Sequence, residues 1–157
     1  MKIKLMVVGK TDESYVIEGI EKYHKRLKHY INFEIITLPD SKQGSKLQIE
    51  KLKEEEGKML LQKIETSDQV VLLDEKGKDF TSEEFAGFLQ KKMNGGFPCL
   101  VFIVGGAFGF SPEIYKRAND QVSLSKMTFP HQMVRLFFTE QLYRAFTIIK
   151  GEKYHHK

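Results

Sequence analysis

The chain opens on an alternation in which Ile3, Leu5 and Val7 are separated by Lys4 and Met6 and closed by Gly9, a period of two that predicts a strand over 2–8. Val16, Ile20, Tyr23 and Leu27 then recur at spacings of four, three and four, one buried helical stripe, with Thr11 or Asp12 as the expected cap. Phe33 to Leu38 predicts a second strand, closed by Pro39, and the polar stretch 40–46 with Gly44 reads as a loop too short to divide the chain. Ile49, Leu52, Met59 and Leu60 predict another helix. Val70 to Leu73 is wholly apolar, as a strand covered on both faces would be. Thr81 with Glu84 forms a capping-box signature ahead of Phe85, Phe88 and Leu89.

In the second half, Leu100 to Val104 predicts a buried strand that runs into Gly105-Gly106-Ala107-Phe108-Gly109. Ser111 is the expected cap of the next helix, with Pro112 at its first position, where a missing N–H costs nothing. Val122 and Leu124 alternate with serines as a last strand. After Pro130, Val134, Phe138, Leu142, Ala145 and Ile149 mark a long helix that Gly151 is placed to end. Strands and helices alternate throughout, so the expectation is one α/β domain over 1–157, a mostly parallel sheet with helices on both faces. Ligands of such sheets bind beyond the carboxyl ends of the strands, which directs attention to the segments after Leu73, Val104 and Leu124.

Composition narrows the class. With 41% hydrophobic and 29% charged residues, the chain lies far from the profile of disorder and is expected to fold without metal or disulfide. Its one cysteine, Cys99, cannot form an intramolecular bridge and fits a reducing compartment. No signal-like start precedes the first strand and no window approaches roughly 18 apolar residues, so a cytoplasmic protein with no membrane partner is expected. A net charge of +4 is compatible with a polyanionic partner without demanding one. Lys22, Lys25, Arg26 and Lys28, with His24 and His29, make one helix basic, which reads equally as a solvated face or a phosphate contact. Glu50, Glu54, Glu55 and Glu56 make another helix acidic.

Three segments can carry chemistry. The glycine run lets backbone approach a ligand and leaves N–H groups free to bind it, although it lacks the second glycine of Gly-x-Gly and the Lys-Ser or Lys-Thr of a phosphate loop. Leu124-Ser125-Lys126-Met127-Thr128-Phe129-Pro130-His131 mixes apolar and polar residues in a way that suits an adenine-like ring. Glu140, Tyr143 and Arg144, with His131 and the tail Tyr154-His155-His156-Lys157, form a polar set. Each has a plainer reading: a tight turn, an ordinary strand-to-helix connection, and an i,i+4 surface ion pair. No metal is expected, because His155 and His156 are adjacent and no Cys or Asp cluster completes a site.

Taken in order, Val8-Gly9-Lys10, Leu72-Leu73-Asp74 with Gly77-Lys78, Val104-Gly105-Gly106 with Gly109, Leu124-Ser125 with Thr128-Phe129-Pro130-His131, Val134-Arg135, Glu140-Gln141-Leu142-Tyr143-Arg144-Ala145 and Tyr154-His155 resemble the large-subunit ribosomal RNA methyltransferase H family, of the SPOUT class. The resemblance runs end to end. It implies methyl transfer from S-adenosylmethionine to N3 of a pseudouridine in 23S ribosomal RNA, on the assembled ribosome, by a homodimer. It also implies a C-terminal trefoil knot, where periodicity alone predicts an unknotted doubly wound sheet. Carried over by position, it assigns the cofactor to Leu73, Gly105, Leu124, Ser125, Lys126, Met127, Thr128 and Phe129. Base orientation and proton removal fall to His131, Glu140, Tyr143, Arg144, Tyr154 and His155. Members tend to end in Tyr-His and one basic residue, whereas here His156 intervenes before Lys157.

Two other classes fit the residues without the resemblance. One is a different enzyme using a nucleotide at the Gly105 loop; the other is a noncatalytic ribosome-binding or assembly protein.

Overall fold

The computed structural model describes residues 1–40 and 48–156; most of the expected 40–46 loop, and the final lysine of the tail, lie outside the described residues. The elements are β1 (Lys2–Val8), α1 (Ser14–Leu27), β2 (Asn32–Leu38), α2 (Ile49–Gln62), β3 (Gln69–Asp79), α3 (Ser82–Asn94), β4 (Cys99–Val104), α4 (Pro112–Arg117), β5 (Asp120–Ser123) and α5 (His131–Ile149). The strands form one sheet in the order β2-β1-β4-β3-β5, and every neighbouring pair is parallel. The α/β class expected from the alternation is the class observed.

Because successive strand residues point to opposite faces, the sheet sorts its apolar side chains into two cores. Ile3, Leu5, Val7, Val71, Leu73, Leu100, Phe102 and Val104 meet Leu27 of α1, Phe85 and Leu89 of α3, and Phe138, Leu142 and Phe146 of α5. Met6, Val8, Val70, Leu72, Val101 and Ile103 face the other way, toward Leu60 of α2 and Ile114 of α4. All six residues of the central strand β4 are buried, which is why its sequence shows no alternation. No helix among the described residues is long and apolar enough to cross a membrane.

Several local expectations need correction. Neither Thr11 nor Asp12 caps α1; Glu13 holds the cap position without a side-chain bond. Both side chains are engaged elsewhere, Thr11 Oγ1 accepting from Arg135 at 2.8 Å and Asp12 Oδ1 from Gln132 Nε2. Ser111 stands at the cap of α4 with Pro112 after it, yet its Oγ makes no cap bond and is buried without a hydrogen-bond partner among the described residues. Of the four glutamates that make α2 acidic, Glu56 is buried, only 6% exposed, on the side of the helix that also carries Leu52 and Leu60. β3 runs on to Asp79, re-pairing with β5 after a register shift between Leu73 and Lys78, and Leu124 falls beyond the end of β5. Lys28 and His29 follow the last residue of α1.

Other expectations hold. Thr81 and Glu84 exchange both bonds of a capping box. Gly151 has φ +69°, and the bonds from Gly151 N–H to Ile148 O and from Glu152 N–H to Thr147 O close α5 as a Schellman motif.

Candidate active site

The carboxyl ends of β3, β4 and β5 open on a cleft of about 690 Å³, whose lining includes Leu73 and Asp74, the whole Gly105–Phe110 run, Ser123 to Ser125, Met127 to Phe129, and His131. The three segments singled out by topology thus meet at one place, as the carboxyl-end rule for open α/β sheets requires. Of the eight residues expected at a cofactor, seven line the cleft; Lys126 does not, and its exposed ammonium lies 3.8 Å from Asp79.

Local bonding shapes each wall. The glycine segment turns back on itself through the Gly106–Gly109 bridge, with the Gly109 N–H donating to Gly106 O at 3.2 Å; Gly109 has φ +85°, a conformation that excludes most side chains. A Cβ on Gly105 would lie 3.2 Å from the Phe110 ring, so the backbone there passes close to an aromatic wall. On the opposite wall, Ser123 Oγ donates to Ser125 O at 2.8 Å and the Met127 N–H donates to Ser125 Oγ at 3.0 Å, a side-chain-closed turn. Phe108 and Met127 stand exposed at the mouth, Met127 by 75%.

Sequence reasoning missed two polar residues of the cleft wall. Tyr115 OH donates to Asp74 Oδ2 at 2.5 Å, and the Lys76 N–H donates to Asp74 Oδ1 at 2.9 Å. Burial and the Asp74 hydrogen bond push the Tyr115 phenol up to about 12, so it stays a donor. The aspartate was visible only as one letter of the resemblance, and Tyr115 sits on a helix whose pattern is too short to separate wall from core.

His131 lines the same cleft from the first turn of α5. Burial first, and then the nearby Arg135 charge, hold its imidazolium below the ordinary range, against smaller opposing pulls from Asp40 and Asp12. Arg135 itself is 1% exposed and grips the end of β1, donating to Val8 O at 2.8 Å, Gly9 O at 2.9 Å and Thr11 Oγ1 at 2.8 Å.

Glu140, Tyr143, Arg144, Tyr154 and His155 come together in a second cluster. Arg144 Nη2 meets Glu140 Oε1 at 2.5 Å, Tyr154 OH donates to the same oxygen at 3.0 Å, and the Arg144 guanidinium lies 4.8 Å over the Tyr154 ring. Tyr143 packs edge-on to Tyr154 at 4.7 Å. Arg144 Nη1 is 3.3 Å from His155 Nδ1, and His155 Nε2 lies 3.9 Å from a Glu83 carboxylate oxygen. The ion pair is therefore tied into a tail-anchoring network. His131 is not in it: nine residues of helix, about 13 Å of rise, separate it from Glu140.

Comparison with known proteins agrees with this geometry. A family model described as a predicted SPOUT methyltransferase matches residues 1–155. The protein called ribosomal RNA large subunit methyltransferase H in Cytophaga hutchinsonii is 55% identical over 156 residues, covering 99% of this chain and all of the relative. Those of Christiangramia forsetii and Porphyromonas gingivalis are 55% and 52% identical over 157 residues, with both chains covered in full.

Proposed function

The chain belongs to the SPOUT methyltransferase family, and from that premise we propose that it methylates large-subunit ribosomal RNA, moving a methyl group from S-adenosylmethionine to N3 of a pseudouridine in 23S RNA on the assembled ribosome. The observation that carries the proposal is the convergence of three distant stretches, at Leu73, Gly105 and Leu124 to Phe129, on one cleft.

The residues present fit that donor. The cleft has the volume of a small-molecule site, with apolar side chains and backbone together on its walls. Asp74 spends one lone pair on Tyr115 and one on Lys76, which leaves acceptor capacity for the cationic end of the molecule. When bound, the donor supplies a methyl group already activated on a sulfonium, so the protein mainly has to align and to accept a proton. Leu73 and the two loops bind and orient. His131, held neutral by its surroundings, is the proton-accepting group on the wall.

The tail cluster then acts across a subunit boundary. Within one chain it stands about 13 Å along α5 from His131, too far to share the first cleft. In the homodimer of this reading, Glu140, Arg144, Tyr154 and His155 of one protomer face the cleft of the other. Exposed Phe108, Met127 and Phe137 supply apolar surface for such an association. The reading also takes a cytoplasmic location and the knotted C-terminal connection of the class.

Incubation with methyl-labelled donor and, separately, whole ribosomes, free large subunits and free small subunits tests the proposal, with the label mapped in the RNA. Label at a single large-subunit pseudouridine, strongest on whole ribosomes and weak on protein-free RNA, is expected. Label elsewhere, equal turnover on naked transcripts, or melting curves unmoved by millimolar S-adenosylmethionine would overturn it.

A further inference from the structure

A second cleft, of about 390 Å³, lies where β5 meets α3 and the end of β3, lined by Lys78, Phe80, Glu84, Gly87, Phe88, Lys91, Asp120, Gln121 and Val122. β5 is the last strand of the sheet, and its two ends serve different spaces: Ser123 opens on the cofactor cleft, while Asp120 to Val122 line this one.

Aromatic surface and positive charge stand side by side here. Phe80 and Phe88 pack at 5.4 Å between centroids, and the Lys78 ammonium lies 5.0 Å from the Phe80 centroid. The acids of the cleft are already engaged: Glu84 accepts the Thr81 N–H at 2.7 Å, and Asp120 is paired with Lys92 at 2.5 Å. Among the described residues, Lys78 and Lys91 have no ion pair; with Asp120 neutralised by Lys92, these two lysines outnumber the ionised Glu84 by one positive charge.

Gly87 is the second, independent observation. It sits mid-helix in α3, where glycine costs roughly 1 kcal/mol relative to alanine, and a Cβ there would meet nothing within 4 Å. Packing inside the chain therefore gives no reason for a glycine. A ligand that approaches the helix backbone does.

We propose that this cleft holds a nucleotide of single-stranded RNA flanking the methylated base, with the base against Phe80 and Phe88 over Gly87 and the neighbouring phosphates at Lys78 and Lys91. The inference rests on the RNA-methylating reading and extends it to how substrate is held. Aromatic platforms beside lysines suit a single strand, because every base has a π-face and every linkage a charge.

Gly87→Leu is the sharpest test, since it improves helix propensity and its Cβ would meet nothing within 4 Å in the protein, yet the side chain enters the site. Binding of a fluorescein-labelled twelve-residue oligouridine is measured for the parent, Gly87→Leu, and Lys78→Gln/Lys91→Gln. Gly87→Leu is expected to melt no lower than the parent and to bind about fivefold or more weakly, as for loss of one stacked base. The lysine pair is expected to lower the slope of log affinity against log salt by about 1.4, the value for two phosphate contacts on a single strand. Both variants keep the parental melting shift with S-adenosylmethionine. A parent that shows no such shift and labels no ribosome sinks the reading of function, whereas variants that bind oligouridine like the parent sink this inference alone. Parental oligouridine binding combined with lost ribosome labelling would assign the cleft to a ribosomal protein, and dissociation of the dimer would assign it to a second copy; either overturns the proposal.

Discussion

The Glu56 carboxylate occupies the space that a side chain on Gly106 would need: its Oε2 would stand 2.7 Å from a Cβ there. The glycine loop therefore rests on a buried acid from α2, which ties the packing of the second core to the shape of the cleft at the carboxyl ends of β3, β4 and β5. Gly106→Ala is expected to destabilise by about 1–2 kcal/mol through overpacking and to reduce the melting shift given by S-adenosylmethionine. Glu56→Ala removes the obstruction, so the double variant should lose clearly less stability than the sum of the two singles. Strict additivity in urea titrations would mean that the two residues do not bear on each other.

The same acid sets a pH dependence. Burial, and then the Asp40 charge, raise the Glu56 pKa above its ordinary 4.5. An acid raised on folding keeps its proton longer in the native state, so stability falls as pH rises from 4.5 through the native value and then levels. Glu56→Gln removes this loss. Its melting temperature should match the parent near pH 4.5 and exceed it at pH 7.5, and parallel curves across that window would refute the assignment.

Arg135 holds the end of β1 by three hydrogen bonds from inside the protein. Arg135→Leu leaves the carbonyls of Val8 and Gly9 without these donors and is expected to cost about 3 kcal/mol or more. Arg135→Lys keeps the charge but not the fork, and should fall between. Urea unfolding midpoints read the order.

These residues mark where the sequence was legible and where it was not. Periodicity found the strands and both well-signalled helix ends, Thr81 with Glu84 and Gly151, because those signals are local. It marked α5 by Val134, Phe138, Leu142, Ala145 and Ile149, which pack in or against the first core, but gave no sign that Arg135, Thr139 and Thr147 are buried beside them. A polar residue on the inner face is recognisable only once its distant acceptors are known, and those of Arg135 lie more than 120 positions earlier. Glu56 reads along the chain only as one more acid of an acidic helix, for the same reason. Leu73, Gly105 and Leu124 to Phe129 were legible as three separate stretches by topology, but their joint assignment needed the family pattern. Nothing along the chain places Tyr115 beside Asp74.

Gly77 is the tightest backbone approach in the cleft region. A Cβ there would lie 2.6 Å from Val122 N and 2.7 Å from the carbonyl carbons of Gln121 and Val122, and backbone cannot step aside as a flexible side chain can. Gly77→Ala must therefore part β3 from β5 just before the Leu124–Phe129 wall. A loss of about 2 kcal/mol or more is expected, with a larger proportional loss of cofactor affinity, measured by calorimetric titration. Parental affinity in a folded Gly77→Ala protein would show that the wall does not depend on this contact.

The subunit-crossing role of the tail is open to a complementation test. Gly105→Arg drives a long side chain against Phe110, whose ring would already lie 3.2 Å from a Cβ, and so should close the cleft proposed for the methyl donor. Arg144→Ala removes the guanidinium that joins Glu140, Tyr154 and His155, and leaves the cleft intact. Each homodimer should be inactive on ribosomes. A mixed dimer contains one open cleft, on the Arg144→Ala chain, and one intact tail, on the other chain. If the tail serves its own cleft, no complete site exists in that dimer. If it serves the partner's, one does, and random mixing of unfolded and refolded variants should recover about a quarter of parental activity, since half the dimers are mixed and each holds one site of two. Recovery near zero, with mixed dimers verified by native mass spectrometry, would confine the tail to its own chain.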